Sequence, residues 1–383
     1  MKYGKKNRIN LDPLAYNLMI IGESGVGKST LIKEYCEKLT GEDGYMFLEI
    51  GKEDGADAIE GINYLTCPDW NSEYNEDTNE IGFNTFIEDV VENKSTDFKD
   101  LKVVVIDTAD ELFAIAEPEV IRLHNKENPT KRVSSIKQAF GGWQAGEDKA
   151  VEIILKALWS LKQVGVTFVV IGHTKTRNVT DPVTGEDYYQ LTTNMPQKYF
   201  NSLKTKVHLL GVVSIDREIV KKKTGKKNPV TKEEIIKGVV TSETRKITFR
   251  DDNFVIDGKS RFSNIVNEIP FGVDEFIKAI KDAIESEYKK SGKSIEEGIK
   301  AQTAEAKAKE KRIAEKEVAN KESETIKKKV AQIVSFFSDN KKDIDKVKPV
   351  VAKCKELGYD NPTLIDKVED ADAILAFIEE SGE

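Results

Sequence analysis

The chain is 383 residues long and carries a formal net charge of −8, with 33% charged and 39% hydrophobic residues. That length allows two or three domains, one of them large enough for a full α/β core. No apolar run approaches the roughly 20 residues of a membrane span, and the basic start MKYGKKNRINLDP has no apolar stretch behind it. The expectation is an intracellular protein with no membrane contact. Cys36, Cys67 and Cys354 are scattered, and with only His124, His173 and His208 a structural zinc site is not expected. The acidic total argues against indiscriminate nucleic-acid binding by the whole molecule. It leaves room for a local basic path, because acids and bases are intermingled.

Residues 1–16 form a short lead-in. Leu18-Met19-Ile20-Ile21 is an apolar run of the kind that makes a buried strand. It breaks at Gly22. From there Gly22-Glu23-Ser24-Gly25-Val26-Gly27-Lys28-Ser29 fits the phosphate-loop pattern G-x-x-x-x-G-K-[ST] at every fixed position. Thr30 leads into a helix with Leu31, Ile32, Tyr35, Cys36 and Leu39 on one face. Strand, glycine loop and helix in that order aim backbone N–H groups and the positive helix end at one point. A nucleotide polyphosphate fits such a point. Gly22 to Thr30 would cradle it, Lys28 would reach the β- and γ-phosphates, and Ser29 would put its hydroxyl on Mg²⁺.

Gly44 to Ile50 predicts a second strand, ending in the acidic loop Gly51 to Gly55. Residues 56–100 alternate polar loop with weak helix, the best helix being Phe83 to Val91. Leu101 to Asp107, LKVVVID, is the second strong signal. Its apolar run is suited to burial on both faces, and Asp107 at its end suits a Mg²⁺ ligand opposite Ser29. Asp110 and Glu111 follow as first-turn acids on a helix dipole.

A glycine-rich stretch, Gly141 to Gly146, precedes a helix from Glu147 to Val164. Val166 to His173 is another buried strand, ending in His173-Thr174-Lys175-Thr176-Arg177. In open α/β sheets ligands lie beyond the carboxyl ends of the strands, so these polar groups should face the nucleotide. Asn178 to Tyr199 has few apolar residues and is expected to be a mobile loop. Val207 to Ser214 is a further strand. Asp216 to Arg250 suggests a hairpin with the basic tip Lys221-Lys222-Lys223-Thr224-Gly225-Lys226-Lys227. That tip suits either nucleic-acid phosphates or the guarding of a strand edge. Ile247 to Arg250 and Phe254 to Ile256 are expected to finish the core, and Val273 to Tyr288 is a helix.

Composition shifts at about Lys289. Residues 290–325 are rich in Lys, Glu and Ala, as in a solvated helix or linker. Apolar periodicity returns from Ile326, with Ile333, Phe336, Val350, Leu357, Ile374 and Phe377 among its positions. The division expected is a core over 1–288, a charged helical linker over 289–325 and a small all-α module over 326–383.

Phosphate loop, Asp-ended strand and strand ending in His, in that order, resemble the RecA-like ATPase core. More narrowly, IIGESGVGKST, VVVIDTADELF, VVIGHTKTR and TFRDDNFVIDGKSR look like a set of bacteriophage-encoded RecA-like proteins, some of them single-strand annealing or recombination proteins. The resemblance covers about residues 14–285. It implies an α/β fold with a mostly parallel central sheet, ATP and Mg²⁺ as ligands, and ATP hydrolysis. It also implies action on single-stranded DNA in recombination or replication within an infected bacterial host. In that family a polar residue at the place of His173 senses the γ-phosphate, and a segment like Arg177 to Lys198 contacts DNA. Lys259 and Arg261 would correspond to basic residues that reach a neighbouring subunit's γ-phosphate, which implies a homo-oligomer. The family's catalytic glutamate lies just past the second strand; this chain departs there, with Glu49 slightly early and Glu53 slightly late, and the choice between them stays open.

Other readings remain beside this one. The chain suits a nucleotide-gated binding module with slow hydrolysis, whose C-terminal helices recruit a replication or recombination partner. A DnaB-like helicase or loader is another. A GTPase is disfavoured because D-x-x-G is missing after the strand ending in Asp107, which runs on as Thr-Ala-Asp, and N-K-x-D is absent; an adenylate-kinase-like transferase is disfavoured because the lid-like loop is poor in arginine.

Overall fold

In a computed structural model the apolar runs are neighbouring strands of one sheet. The structure describes residues 7–181, 183–227, 234–251, 255–290, 292, 294–341 and 343–380. The core elements are β1 (Leu18–Gly22), α1 (Lys28–Thr40), β2 (Tyr45–Ile50), β3 (Tyr64–Cys67), α2 (Phe83–Glu92), β4 (Val103–Asp107) and α3 (Ala109–Glu127). There follow α4 (Ala145–Gln163), β5 (Thr167–Thr180), β6 (Asp187–Thr193), α5 (Gln197–Lys204), β7 (Leu209–Lys227) and β8 (Glu234–Thr248). The short strands β9 (Lys259–Ser260) and β10 (Glu268–Pro270) precede α6 (Val273–Lys289), α7 (Ile295–Asp339), α8 (Ile344–Glu356) and α9 (Val368–Glu380).

The sheet order is β10-β8-β7-β1-β5-β4-β2-β3. From β7 to β3 the pairs are parallel, while β8 and β10 add antiparallel strands at one side. Parallel strands covered by helices must be apolar on both faces, and β1 shows how this is met. Met19 and Ile21 join Leu48, Val104, Ile106, Phe168 and Val170 under α2, α3 and α4. Leu18 and Ile20 join Phe47, Val103, Val105, Val169 and Ile171 under α1 and α6. In register, Gly22 pairs with His173, Asp107 with Ile171, and Glu49 with Asp107. The carboxyl ends of β1, β2, β4 and β5 therefore meet at one edge.

Several expectations change. The stretch expected to be a mobile loop after Asn178 is instead a β5–β6 hairpin, paired from Thr174–Thr193 to Thr180–Asp187. Its turn is held by Asp181 Oδ1, which accepts from Val183 N at 2.8 Å and Thr184 N at 2.7 Å. The sparse apolar content reflects a ribbon that rests few apolar side chains on the core, Leu191 among them, not a lack of order. β3 was hidden because it is a half-buried edge strand of four residues. The hairpin expected over 216–250 is present as β7 and β8, although the side chains of 222–227 of its basic tip lie outside the described residues. Of the stretch Phe254 to Ile256 expected to finish the core, Ile256 packs against it and bridges Leu191, whereas Val255 is exposed and Phe254 lies outside the described residues.

His208 ties the amino edge of the sheet together. Its Nδ1 accepts from Asn17 N at 3.1 Å and its ring meets Tyr16 edge-on. Burial, with Arg261 and Lys162 nearby, lowers its pKa from 6.5 to about 4. The unfolded chain therefore binds a proton that the folded chain refuses. Stability from this group is complete above pH 6.5 and declines as the pH falls from 6.5 toward 4. We expect His208→Gln, whose side-chain oxygen can still accept from Asn17, to flatten the fall of the urea midpoint across that window. Equal slopes in both proteins would contradict it.

The chain divides into two compact units, Met1–Ala306 and Lys307–Glu383, with α7 beginning in the first and ending in the second. The second unit has its own core of Ile333, Val350, Cys354, Ile365, Ala371 and Ile374, built from the end of α7 with α8 and α9. Tyr359 Oη donates at 2.8 Å to Asp366 or Asp370, which draw the turn onto α9. No helix among the described residues is long and apolar enough to cross a membrane.

Candidate phosphate-binding site

The loop from Gly22 to Gly27 leaves β1 at the sheet's carboxyl edge. Gly22 is needed for close approach. A Cβ there would lie 3.0 Å from Val213 Cβ and 3.1 Å from Val26 Cγ1. Gly27 is needed for conformation, since it precedes α1 at φ 99°, in the left-handed region. Val26 between them is buried and anchors the loop, while Glu23, Ser24 and Gly25 are exposed.

Lys28 is buried at 5% exposure, and its Nζ donates to Gly22 O at 3.1 Å and Glu23 O at 2.9 Å. Burial lowers its pKa, against the pull of Asp107, Asp110 and Glu53. Ser29 Oγ donates to Asp107 Oδ2 at 2.5 Å, bridging α1 and β4. The two expected Mg²⁺ ligands are therefore adjacent. Burial raises the pKa of Asp107, with Glu53 adding to the effect against the Ser29 hydrogen bond and Lys28. Without a further cation the charged form of Asp107 is disfavoured. Asp110 Oδ1 is also buried without a hydrogen-bond partner among the described residues. Hard oxygen donors, a carboxylate whose charged form is disfavoured and an orphaned acceptor together fit Mg²⁺.

Glu49 and Glu53, equivalent by sequence, separate here. Glu49 is 5% exposed, and its Oε1 accepts from Ala56 N at 2.5 Å. Burial raises its pKa. Glu53 is half-buried, accepts from Thr108 Oγ1 at 3.2 Å, and acts electrostatically on Lys28, Asp107 and His173. Glu53 thus acts on Lys28, Asp107 and His173 together, whereas Glu49 feels only Asp107 of these and fixes the turn after β2.

His173 ends the buried part of β5. Asp110 Oδ2 accepts from His173 N at 3.0 Å and lies 3.3 Å from its Nδ1. The Asp110 carboxylate raises the His173 pKa above its ordinary value, against burial and Lys28. Asp110, whose sequence position suggested only a helix-dipole partner, is thus what orients His173.

Lys259 and Arg261 are placed elsewhere. Lys259 pairs with Leu210, and Leu209 beside it pairs with Leu18, the first residue of β1. They stand at the amino edge, opposite Gly22. Lys259 Nζ donates to the carbonyls of Lys204 and Val207, and Arg261 donates to Thr205 O at 2.6 Å. Both cations close the carboxyl end of α5, where a helix leaves its last carbonyls unpaired. Within their own subunit neither joins the nucleotide edge.

Two arginines that sequence reading passed over do join it. Arg245 on β8 donates to Val26 O at 3.0 Å, and Arg217 on β7 lies 3.5 Å from Glu23. No local signal marks them, because more than 190 residues separate each from the loop.

Two solved structures are similar to this chain at low identity. A KaiC-like protein from Pyrococcus horikoshii OT3 is 13% identical over 67% of this chain and 85% of that chain, with a TM-score of 0.32. The flagellar accessory protein FlaH from Methanocaldococcus jannaschii is 8% identical over 64% of this chain and 83% of that chain, with a TM-score of 0.29. No curated protein sequence matches. The family model described as an AAA domain matches residues 14–266, a span that holds the phosphate loop, Asp107, His173 and both arginines. With most of its length matched in this way, the chain belongs to the AAA domain family, a P-loop ATPase family.

Proposed function

We propose that the protein hydrolyses ATP with Mg²⁺ and couples this to single-stranded DNA during bacteriophage recombination or replication. The observation that carries the ATPase reading is the 2.5 Å contact of Ser29 Oγ with Asp107 Oδ2 beneath the glycine loop. Ser29 and Asp107 would hold the metal, which when bound neutralises charge on phosphate oxygens. The loop N–H groups hold the polyphosphate, and the Lys28 ammonium stabilises negative charge on the transferred group. Glu53 orients the attacking water and takes its proton. His173, held by Asp110, donates toward the phosphate side from the end of β5.

The DNA reading is supported by exposed aromatic groups near that edge. Trp143 is 99% exposed and Tyr189, on β6, is 71% exposed. Lys175 is exposed on β5, the strand that pairs with β6. Trp143 precedes Gln144, whose O accepts from Lys198 of α5 at 3.1 Å, close after Asn194, whose N donates to His173 O at 2.9 Å. Aromatic rings beside cations offer stacking platforms for unpaired bases. A subunit contact in a homo-oligomer is supported by the exposed pairs Ile219–Val240 and Val220–Val239 on the β7–β8 ribbon. The separately cored C-terminal unit suits recruitment of a replication or recombination partner.

The test is steady-state ATP hydrolysis with and without oligo-dT. Single-stranded DNA should raise the rate, and Trp143→Ala should weaken oligo-dT binding about tenfold, near 1.4 kcal/mol. If oligo-dT neither binds nor alters turnover, the DNA role fails and the ATPase stands alone.

A further inference from the structure

The phosphate loop is held from outside as well as from within. Arg245 lies on β8, and its guanidinium NH1 donates to Val26 O at 3.0 Å. The same guanidinium sits over the Phe271 ring, 4.8 Å from the centroid, and Arg245 O accepts from Phe271 N at 3.0 Å. Phe271 is therefore joined to Arg245 at both backbone and side chain, which sets the fork before it meets the loop. Gly27 lies directly beneath. A Cβ there would come within 3.2 Å of Arg245 NH1 and 3.3 Å of Phe271 Cζ. A second tie from the same ribbon runs from Arg217 to Glu23, supported by Glu243 at 2.9 Å.

The contact has a chemical consequence. The Val26 carbonyl and the Gly27 N–H belong to one peptide unit. A cationic donor on that oxygen polarises the unit and makes its N–H a stronger donor, since linked hydrogen bonds reinforce one another. Gly27 N–H belongs to the set that cradles the polyphosphate in the reading above. Arginine suits the task because its planar fork donates to the carbonyl and lies flat on an aromatic face at once.

We propose that Arg245 is a positioning residue of the nucleotide site. It fixes the Val26–Gly27 peptide and strengthens its N–H toward the polyphosphate, joining the loop to the β7–β8 ribbon. This rests on the phosphate-loop reading given under Proposed function. Because the peptide binds substrate and transition state alike, its loss acts on affinity and leaves the chemical step largely intact.

The experiment titrates the full chain with a fluorescent N-methylanthraniloyl ATP and Mg²⁺, and measures kcat and KM in parallel. Arg245→Ala should weaken nucleotide binding and raise KM about tenfold, with kcat within about twofold and an unchanged thermal midpoint. Arg245→Lys, which keeps a charged donor, should recover most of the affinity, and Arg245→Gln, a neutral donor, should fall between. Unchanged affinity in Arg245→Ala, or equal affinity for the alanine and lysine variants, overturns the proposal. So does a loss that appears only with a lowered thermal midpoint. Absence of wild-type binding in the same titration overturns the underlying reading as well, so the two failures are told apart.

Discussion

Replacing Lys28 with alanine is expected to lower ATP hydrolysis by about 10²–10³-fold, the effect typical of removing one preorganised charge donor from a reacting centre. The ammonium is buried, and it already holds the loop through the carbonyls of Gly22 and Glu23. Its loss leaves both carbonyls without that donor and removes countercharge from Asp107, Asp110 and Glu53. Nucleotide affinity should fall together with turnover. Arginine is not expected to rescue it. A compact point charge fits between two carbonyls at 2.9 and 3.1 Å, and a planar fork does not. Steady-state hydrolysis with a thermal melt as folding control decides the matter. Turnover within threefold of wild type in Lys28→Ala would remove Lys28 from the mechanism.

The second large effect should separate the two glutamates. Glu53→Gln is expected to lower kcat about 10²–10³-fold while nucleotide affinity stays within about threefold, the pattern of a lost general base. Glu49→Gln should lower kcat by less than about tenfold, because an amide oxygen still accepts from Ala56 N and keeps the turn in place. Glu49 is 5% exposed and its Oε1 is taken by Ala56 N, while Glu53 meets the Thr108 hydroxyl at the same edge as Lys28 and Asp107. Rapid-quench measurement of both variants with nucleotide binding checks it. If the Glu49 variant loses turnover and the Glu53 variant keeps it, the roles are reversed.

Sequence reading went furthest where chemistry is local. An unbroken apolar run such as Leu18 to Ile21 suits burial on both faces, and the structure shows those residues alternating between two cores. The hairpin after Asn178 was missed for a related reason. Its residues alternate between exposed and half-buried with few of them apolar, so apolar content gives no strand signal. The edge strand Tyr64–Cys67 escaped because four half-buried residues carry too little period to stand out.

By itself, the order of residues determined the buried strands, the glycine loop that opens α1, and the aspartate that closes β4. Each depends on the conformational freedom or polarity of residues within a few positions of one another. Only the tertiary structure decided that Asp110 steadies His173, that Glu53 acts on Lys28 and Asp107 while Glu49 fixes the turn after β2, that Lys259 and Arg261 close α5, and that Arg245 grips the loop. Most of these meetings join residues tens to hundreds of positions apart. They follow from strand order and register, which set distances in space that no local pattern of side chains encodes.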